Sequence, residues 1–298
     1  MRKLFRELSE LVNYHQKHGK DFAAHDRFNV FEKAVKKLDA WGFPCLNKKT
    51  VLDLGCGQRF PFALQCAASG AQVTAIDLNY VKPSAFLLSF FKMFKHNGVK
   101  RACKSILRRL FFDGAYYKAL EASAGLPLRK FIPEIDFVVA DPESGSYPLP
   151  SGQYDLISTN AVIEHVDNVS NFADEIYRLL RGGYFYGIIH NFYSLSGGHN
   201  LEWAFPDEQP SQKVPPWDHL RANKYPSWVP LNRLLPEEYL KAFSKHLDVL
   251  LFEGRDINHD PGGFEGEQFL TPEIESELKE YPRDLLLTRG WCIICRKA

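Results

Sequence analysis

The sequence predicts an α/β fold: a doubly wound, mostly parallel sheet with helices on both faces. Two observations predict it. Short apolar runs that read as strands alternate with amphipathic helical stretches along the 298 residues, and several of these runs end in an acidic, amide or histidine side chain. Because ligands bind at the carboxyl ends of the strands in such sheets, we look for a functional site at those ends.

The first half of the chain reads as helix, strand, helix and strand, followed by a long helical stretch. Residues 1–42 have helical spacing of apolar residues, with a glycine and a proline after them. We predict strands over Thr50–Leu54 and Ala71–Ile76 and a helix over Phe62–Ser69 between them. Residues 81–135 read as a mainly helical insertion, because they are longer than one crossover needs.

The second half continues the alternation, with one irregular stretch. The predicted strands are Phe137–Ala140, Tyr154–Thr159, Tyr184–Ile189, Leu247–Phe252 and Cys292–Arg296. Helices are predicted over Val169–Leu180, where Gly182 and Gly183 form the stop, and over Pro236–Lys245. Residues 192–233 are rich in Gly, Pro, Trp, His and Asn and read as loop.

The run VLDLGCGQ, residues 51–58, carries a strand into a Gly-x-Gly turn. Glycine lets the backbone approach a ligand closely. Asp77 ends the next strand, 24 residues after Asp53, where a carboxylate can accept hydrogen bonds from both hydroxyls of a ribose. A dinucleotide site would have glycine at the sixth position of the turn, where this chain has Phe60. The pattern therefore favours a nucleoside ligand other than a dinucleotide.

Five motifs in order resemble those of the class I methyltransferases that depend on S-adenosylmethionine (SAM), most closely the branch that acts on small molecules. They are VLDLGCGQ, VTAIDLN, FVVADPES, YDLISTNAVIEHV and LLRGGYFYGIIHN. The resemblance spans about residues 50–191, and LDVLLFEG and WCIICRK are similar to the family's last hairpin. It implies a Rossmann-like, seven-stranded sheet with an antiparallel last strand. One domain over 1–298 would then carry N-terminal helices (1–49), a helical insertion (81–135) and a substrate-side loop insertion (192–233).

The resemblance also implies SAM as the cofactor and assigns roles to six residues. Gly55 and Gly57 would border the methionine part of SAM, and Asp53 would help to hold its amino group. Asp77 would bind the ribose hydroxyls, and Asp141 would accept a hydrogen bond from the adenine amino group. Asn160 would lie beside the cofactor. Two positions depart from the family. Arg59 stands near the place of a third glycine, and Pro142 cannot donate the usual main-chain N–H to adenine.

Methyl transfer often needs a base that removes a proton from the acceptor. His165, His190 and His199 are the candidates, because they follow the fourth and fifth strands or lie in the loop after them. Tyr193, Trp203, Trp217, His219 and Arg221 suggest a substrate pocket in the same loop, or else they pack the loop onto the sheet. The histidine spacing indicates no metal site, and the two cysteines of the last strand read as buried apolar residues.

The predicted substrate is a small molecule, such as a sugar or another polar biosynthetic intermediate, methylated on oxygen. A net charge of +1 gives no global field for nucleic acid. Residues 159–162 lack the Asn-Pro-Pro-aromatic signature of family members that methylate amino groups of bases or glutamine. The N-terminal residues lack an apolar signal core and the six cysteines are scattered, which favours a reduced, cytoplasmic protein.

The stretch from Leu78 to Phe112 holds eight Lys and Arg residues and no acid. It reads as an ordinary amphipathic helix with a solvated basic face, as a lid over the acceptor, or as a patch for an anionic substrate or a lipid surface. Two alternative functions therefore remain at this point. One is a SAM-binding regulatory protein without catalysis, and the other is a methyltransferase that acts on a lipid or anionic substrate through this insertion.

Overall fold

A computed structural model describes residues 20–43, 45–80, 86–206, 209–227, 229 and 231–298. Within them, seven strands form one sheet: β1 Thr50–Leu54, β2 Gln72–Asp77, β3 Asp136–Val139, β4 Tyr154–Asn160, β5 Leu180–His190, β6 Asp248–Arg255 and β7 Gly290–Lys297. Their order is β3-β2-β1-β4-β5-β7-β6. Strand β2 is parallel to β1 and to β3, β4 is parallel to β5, and β7 is antiparallel to β5 and β6. The predicted Rossmann-like fold is confirmed.

The helices alternate with the strands along the chain, as the sequence predicts. They are α1 Lys33–Ala40, α2 Pro61–Ala68, α3 Phe86–Arg108, α4 Gly114–Ala124, α5 Val169–Leu179, α6 Pro236–Phe243, α7 Pro272–Glu277 and α8 Arg283–Leu287. Two π-helical segments, Asp26–Glu32 and Arg109–Asp113, lead into α1 and connect α3 with α4. The described residues from 86 to 135 are thus mainly helical, as predicted for residues 81–135. Predictions for residues 1–19 and 81–85 lie outside the described residues.

The described residues divide into two compact units, unit 1 up to Asp141 and unit 2 from Pro142 onward. Unit 1 contains β1–β3 and α1–α4, and unit 2 contains β4–β7 and α5–α8. The organisation as a single domain with three insertions stays a prediction. No described helix is long and apolar enough to cross a bilayer.

Strand β5 is longer than the sequence predicts. It starts at Leu180, directly after α5, so Gly182 and Gly183 lie inside the strand instead of separating it from the helix. A Cβ on Gly183 would lie 2.2 Å from the main-chain oxygen of Asp155 on β4. Glycine is therefore required by the close approach of two strands, and not by a turn.

Two short helices between the last strands, α7 and α8, were not predicted. Ile274 of α7, Leu278 directly after α7 and Leu286 of α8 pack in one apolar cluster with Trp203 and Trp217 of the 192–233 stretch. The described residues of that stretch form short 3₁₀ turns and no α-helix or strand, so the irregular loop that the composition predicts is confirmed. The burial of Trp203 and Trp217 shows that this loop also packs into unit 2.

Candidate functional site

The Gly-x-Gly turn after β1 has the conformation that glycine permits. Gly55 and Gly57 have φ angles of 70° and 69°, a region that other residues adopt with strain. The main-chain N–H groups of Gly55 and Cys56 donate to the oxygen of Ile76 on β2, at 2.9 and 3.0 Å. A Cβ on Gly57 would meet no atom within 4 Å. The turn is thus held from the β2 side and presents bare backbone to open space.

Asp77, at the end of β2, lies directly beside this turn. Its Oδ2 accepts from the main-chain N–H of Gly57 at 3.2 Å, and its Oδ1 accepts from that of Asn79 at 2.8 Å. The residue is only partly buried. Since a carboxylate oxygen has more than one lone pair, Asp77 can still accept hydrogen bonds from a ligand above the turn.

The other predicted cofactor residues take different positions within their units. In unit 1, Asp53 is buried under the turn, with 4% of its surface exposed, while Asp141 is exposed beyond the end of β3. Burial, together with the charges of Asp53 and Asp77, raises the pKa of the Cys56 thiol, so this cysteine is protonated at neutral pH. In unit 2, Asn160 is exposed at the end of β4.

Arg59, the residue that replaces the family's third glycine, connects the turn to the insertion. Its Nε donates to Asp113 Oδ1 at 2.8 Å, and its guanidinium lies over the Tyr116 ring, 4.3 Å from the centroid. Arg108 binds the same carboxylate at 3.0 Å, and it also donates to the main-chain oxygen of Gln58 at 3.0 Å. One buried carboxylate therefore joins two arginines, one from the turn and one from the end of α3.

The role of Asp113 was not predicted from the sequence. A signal was present: Asp113 is the first acid after Asp77, directly following the acid-free basic stretch. A lone carboxylate among arginines is a natural ion-pair partner for them. Its partner Arg59 is 54 positions away in sequence, however, and no local pattern indicates that pairing.

In unit 2 the three candidate histidines come together. The His199 ring centroid is 5.4 Å from that of His165 and 5.7 Å from that of His190. His165 belongs to the 3₁₀ turn Ile163–His165 after β4, His190 ends β5, and His199 follows the 3₁₀ turn Leu195–Gly198. The fold thus gathers residues from three separate sequence segments at the carboxyl ends of β4 and β5.

The hydrogen bonds of His199 determine which nitrogen can act as a base. Its Nδ1 lies 3.1 Å from the main-chain oxygen of Val229. A carbonyl oxygen only accepts, so Nδ1 carries the proton and Nε2 keeps its lone pair. His199 is also exposed, whereas His165 and His190 are partly buried. Burial of its ring, with the charges of His165 and Arg289, lowers the pKa of His199 despite the Val229 contact.

His190 has a different environment. Its Nε2 lies 2.9 Å from Ser196 Oγ. Burial, together with the positive charge of Arg289, lowers its pKa well below the usual value, so His190 is neutral at physiological pH. It therefore contributes a neutral, hydrogen-bonding ring to the cluster.

Three ring-bearing residues of the 192–233 stretch, Trp203, Trp217 and His219, pack inside unit 2. Trp217 is fully buried and donates to the main-chain oxygen of Tyr193 at 3.2 Å, and Trp203 donates to that of Val214 at 3.1 Å. His219 Nε2 donates to Phe192 O at 2.8 Å, and burial lowers its pKa to about 4. The alternative interpretation, that these residues pack the loop, is the correct one.

Glu164, next to His165, is a buried carboxyl group that the sequence analysis did not single out. It is 1% exposed, and neither carboxylate oxygen makes a hydrogen bond of acceptable geometry within the described residues. Burial raises its pKa to about 8, although Arg255 and nearby main-chain amides act in the opposite direction. Glu164 is therefore mainly protonated at neutral pH.

This pKa predicts how stability depends on pH. Between the ordinary carboxyl value and about 8, the unfolded chain releases the Glu164 proton while the folded chain keeps it, so stability falls as pH rises. Glu164→Gln should remove that fall. We expect the Glu164 proton to lower the unfolding free energy of wild type by about 4 kcal/mol between pH 5 and pH 8.5, and this fall should be missing from the variant. Each pKa unit of difference between the folded and unfolded states corresponds to about 1.4 kcal/mol.

Denaturant titrations at several pH values would measure this difference. Glu134→Gln, at an exposed position of unit 1, is the matched control and should leave the pH dependence unchanged. Parallel stability curves for wild type and Glu164→Gln would show that Glu164 is not buried as the neutral acid.

The described residues contain no group of three or more His, Cys, Asp or Glu side chains that could hold a metal ion. Glu164, His190 and His199 place neutral proton donors and acceptors at the ends of β4 and β5.

Comparison with known proteins gives one family match. A family model described as a methyltransferase domain matches residues 23–222, about two thirds of the chain. No match was found among curated protein sequences.

Several solved structures show weak similarity. Geranyl diphosphate C-methyltransferase of Streptomyces coelicolor, crystallised with Mg²⁺, geranyl-S-thiolodiphosphate and S-adenosylhomocysteine, is 15% identical over 89% of this chain and 75% of its own, with a TM-score of 0.48. A putative SAM-dependent methyltransferase of Listeria monocytogenes is 14% identical (89% and 98% covered, TM-score 0.46). A putative methyltransferase of Haloferax volcanii in complex with a methyltransferase activator is 15% identical (98% and 96% covered, TM-score 0.47). All three TM-scores are below 0.5, so the family match is the comparison that carries weight.

Proposed function

The chain belongs to the methyltransferase domain family, and on that premise we propose that it methylates a hydroxyl oxygen of a small polar metabolite, such as a sugar. Family membership, with the strand order, confirms the SAM-dependent methyltransferase that the sequence motifs indicate. We propose in addition the acceptor and the residues that act on it.

The turn of unit 1 fits a SAM molecule. Open space at Gly57 and the accepting oxygens of Asp77 are what the methionine and ribose parts of such a ligand require. We assign the ribose hydroxyls to Asp77, the methionine part to Gly55 and Gly57, and its amino group to Asp53. Asp141 and Asn160 keep the roles at adenine and beside the cofactor that the family resemblance implies.

The observation that carries the acceptor chemistry is the state of His199. Its Nδ1–H is held by Val229 O, which leaves Nε2 as an exposed base. A hydroxyl acceptor needs such a base, because its proton must leave as the oxygen is methylated. His165 and His190, within 6 Å of the His199 ring centroid, are assigned to positioning that ring.

Bound SAM supplies a methyl group on a sulfonium, which is reactive without any protein nucleophile. The protein aligns the acceptor and accepts its proton. The acceptor oxygen would bond to the methyl carbon as the sulfur–methyl bond breaks, His199 Nε2 would accept the proton of that hydroxyl, and S-adenosylhomocysteine would be the second product. The imidazolium then loses the proton to solvent, because His199 is exposed.

The proposal is tested by following a labelled methyl group. The protein is incubated with SAM carrying the label and with a panel of sugars and sugar nucleotides, and products are separated by mass. We expect label in a water-soluble ether and an equal amount of S-adenosylhomocysteine. Label on an amine or in lipid would contradict the acceptor class, and tight S-adenosylhomocysteine binding without any transfer would indicate a protein that only binds SAM.

A further inference from the structure

The helix α3 carries the basic stretch of unit 1, and its buried residues among those whose side chains the structure describes are Met93, Ala102 and Ser105. Met93 and Ala102 are fully buried and pack in one cluster with Tyr80. Gly98, with φ 72° and ψ 163°, interrupts the helix between them. The helix therefore consists of two helical segments, each fixed to unit 1 by its own buried residue.

The remaining surface of each segment is amphipathic. In the first segment, Phe94 and Phe91 lie about 100° and 160° around the helix axis from Met93 in one sense of rotation. Lys92 and Lys95 lie about 100° and 160° from Met93 in the opposite sense. Phe91 is 76% exposed, and both lysines are exposed. An apolar strip thus runs beside a basic strip on the side that faces away from the buried residue.

The second segment repeats this arrangement. Counted from Ala102, Leu107 lies about 140° away in the first sense, and Arg101 and Lys104 lie about 100° and 160° away in the second. Leu110 and Phe111 follow in the π-helical segment Arg109–Asp113. Leu110 is 59% exposed, and Phe111, which follows it, is 68% exposed. We name these nine residues the insertion face: Phe91, Lys92, Phe94, Lys95, Arg101, Lys104, Leu107, Leu110 and Phe111.

From the insertion face we propose that the protein docks on an anionic phospholipid surface, independently of what it methylates. Exposed phenylalanine and leucine beside lysine and arginine suit the boundary between lipid headgroups and acyl chains. The absence of any acid from Leu78 to Phe112 gives the face a single sign of charge, complementary to anionic headgroups. Nucleic acid would match the charge but would leave the aliphatic side chains in water.

The test is sedimentation of the full chain with vesicles, once with phosphatidylcholine alone and once with about one third phosphatidylglycerol. We expect at least tenfold stronger partitioning to the anionic vesicles. The double variants Phe91→Ser/Phe111→Ser and Lys95→Glu/Lys104→Glu should each lower that partitioning at least tenfold. Leu126→Ser and Lys118→Glu change exposed residues of the same unit outside the face, and they should bind like wild type.

Unchanged circular dichroism and S-adenosylhomocysteine affinity in all variants would show that they fold. No sedimentation with anionic vesicles would overturn the proposal. So would loss of binding in the lysine pair alone, since that identifies a purely electrostatic surface of the kind nucleic acid uses. A dimer that the phenylalanine pair dissociates, with no effect of lipid, would assign the face to a second copy of the chain instead.

Discussion

Replacement of Asp77 by alanine should weaken S-adenosylhomocysteine binding by about 10²- to 10³-fold. Two hydrogen bonds from ribose hydroxyls to a carboxylate are lost, each contributing about 1.5–2 kcal/mol. The carboxylate also accepts from Gly57 N at 3.2 Å, so the turn loses one of its ties at the same time. Titration calorimetry measures the affinity directly and needs no knowledge of the acceptor.

Two variants separate the ribose contacts from general effects of charge. Asp77→Asn keeps an acceptor oxygen without the charge, so its affinity should lie between those of wild type and Asp77→Ala. Asp136→Ala removes an exposed acid at the start of β3 and should bind like wild type. An Asp77→Ala protein that is folded and binds with unchanged affinity would exclude Asp77 from the cofactor site.

His199→Ala should lower kcat by about 10²- to 10⁴-fold, the usual contribution of a general base. Affinity for S-adenosylhomocysteine should stay unchanged, because the assigned cofactor residues do not include His199. Added imidazole should restore part of the activity by supplying the missing base. Transfer of labelled methyl to the acceptor found by the sugar panel is the measurement.

The pH profile distinguishes a base from a structural residue. The pKa of His199 is lowered from 6.5, so Nε2 is unprotonated above that pH, and activity should fall only as the pH drops below 6.5. This acid limb should be missing from the residual activity of His199→Ala. His246→Ala, at an exposed histidine paired with Asp174, is the matched control and should keep both rate and profile. Full activity of His199→Ala would refute its role as the base.

Local signals were enough to predict most of the fold and the turn of unit 1. The strand, the two glycines and Asp77 are encoded within about 25 residues, and the structure places Asp77 beside Gly57 as that spacing indicates. The prediction that β5 starts at Tyr184 was wrong, because Gly183 was read as a breaker. Its actual constraint is the oxygen of Asp155 on the neighbouring strand, which no local pattern reveals.

Burial explains the remaining differences. Trp217 and His219 have the composition of a binding loop, and only three-dimensional packing shows that the tryptophan is in the core and that the histidine donates to Phe192 O. Glu164 looks like any surface acid in the sequence, yet it is 1% exposed. Of the three candidate bases, the sequence could not single out His199, because the hydrogen bond that fixes its proton on Nδ1 is accepted by the main-chain oxygen of Val229, 30 positions away.

The carboxylate of Asp113 makes the glycine turn and the insertion one cooperative element in local unfolding. Opening either side alone would break the buried ion pair between Arg59 and Asp113 and leave the Arg59 guanidinium without its carboxylate, which is costly inside a protein. The two parts should therefore open together or stay closed together. A ligand that orders the turn then also slows the opening of residues 105–117. Conversely, a contact that restrains the outer side of α3 favours the closed form of both parts and so increases ligand affinity.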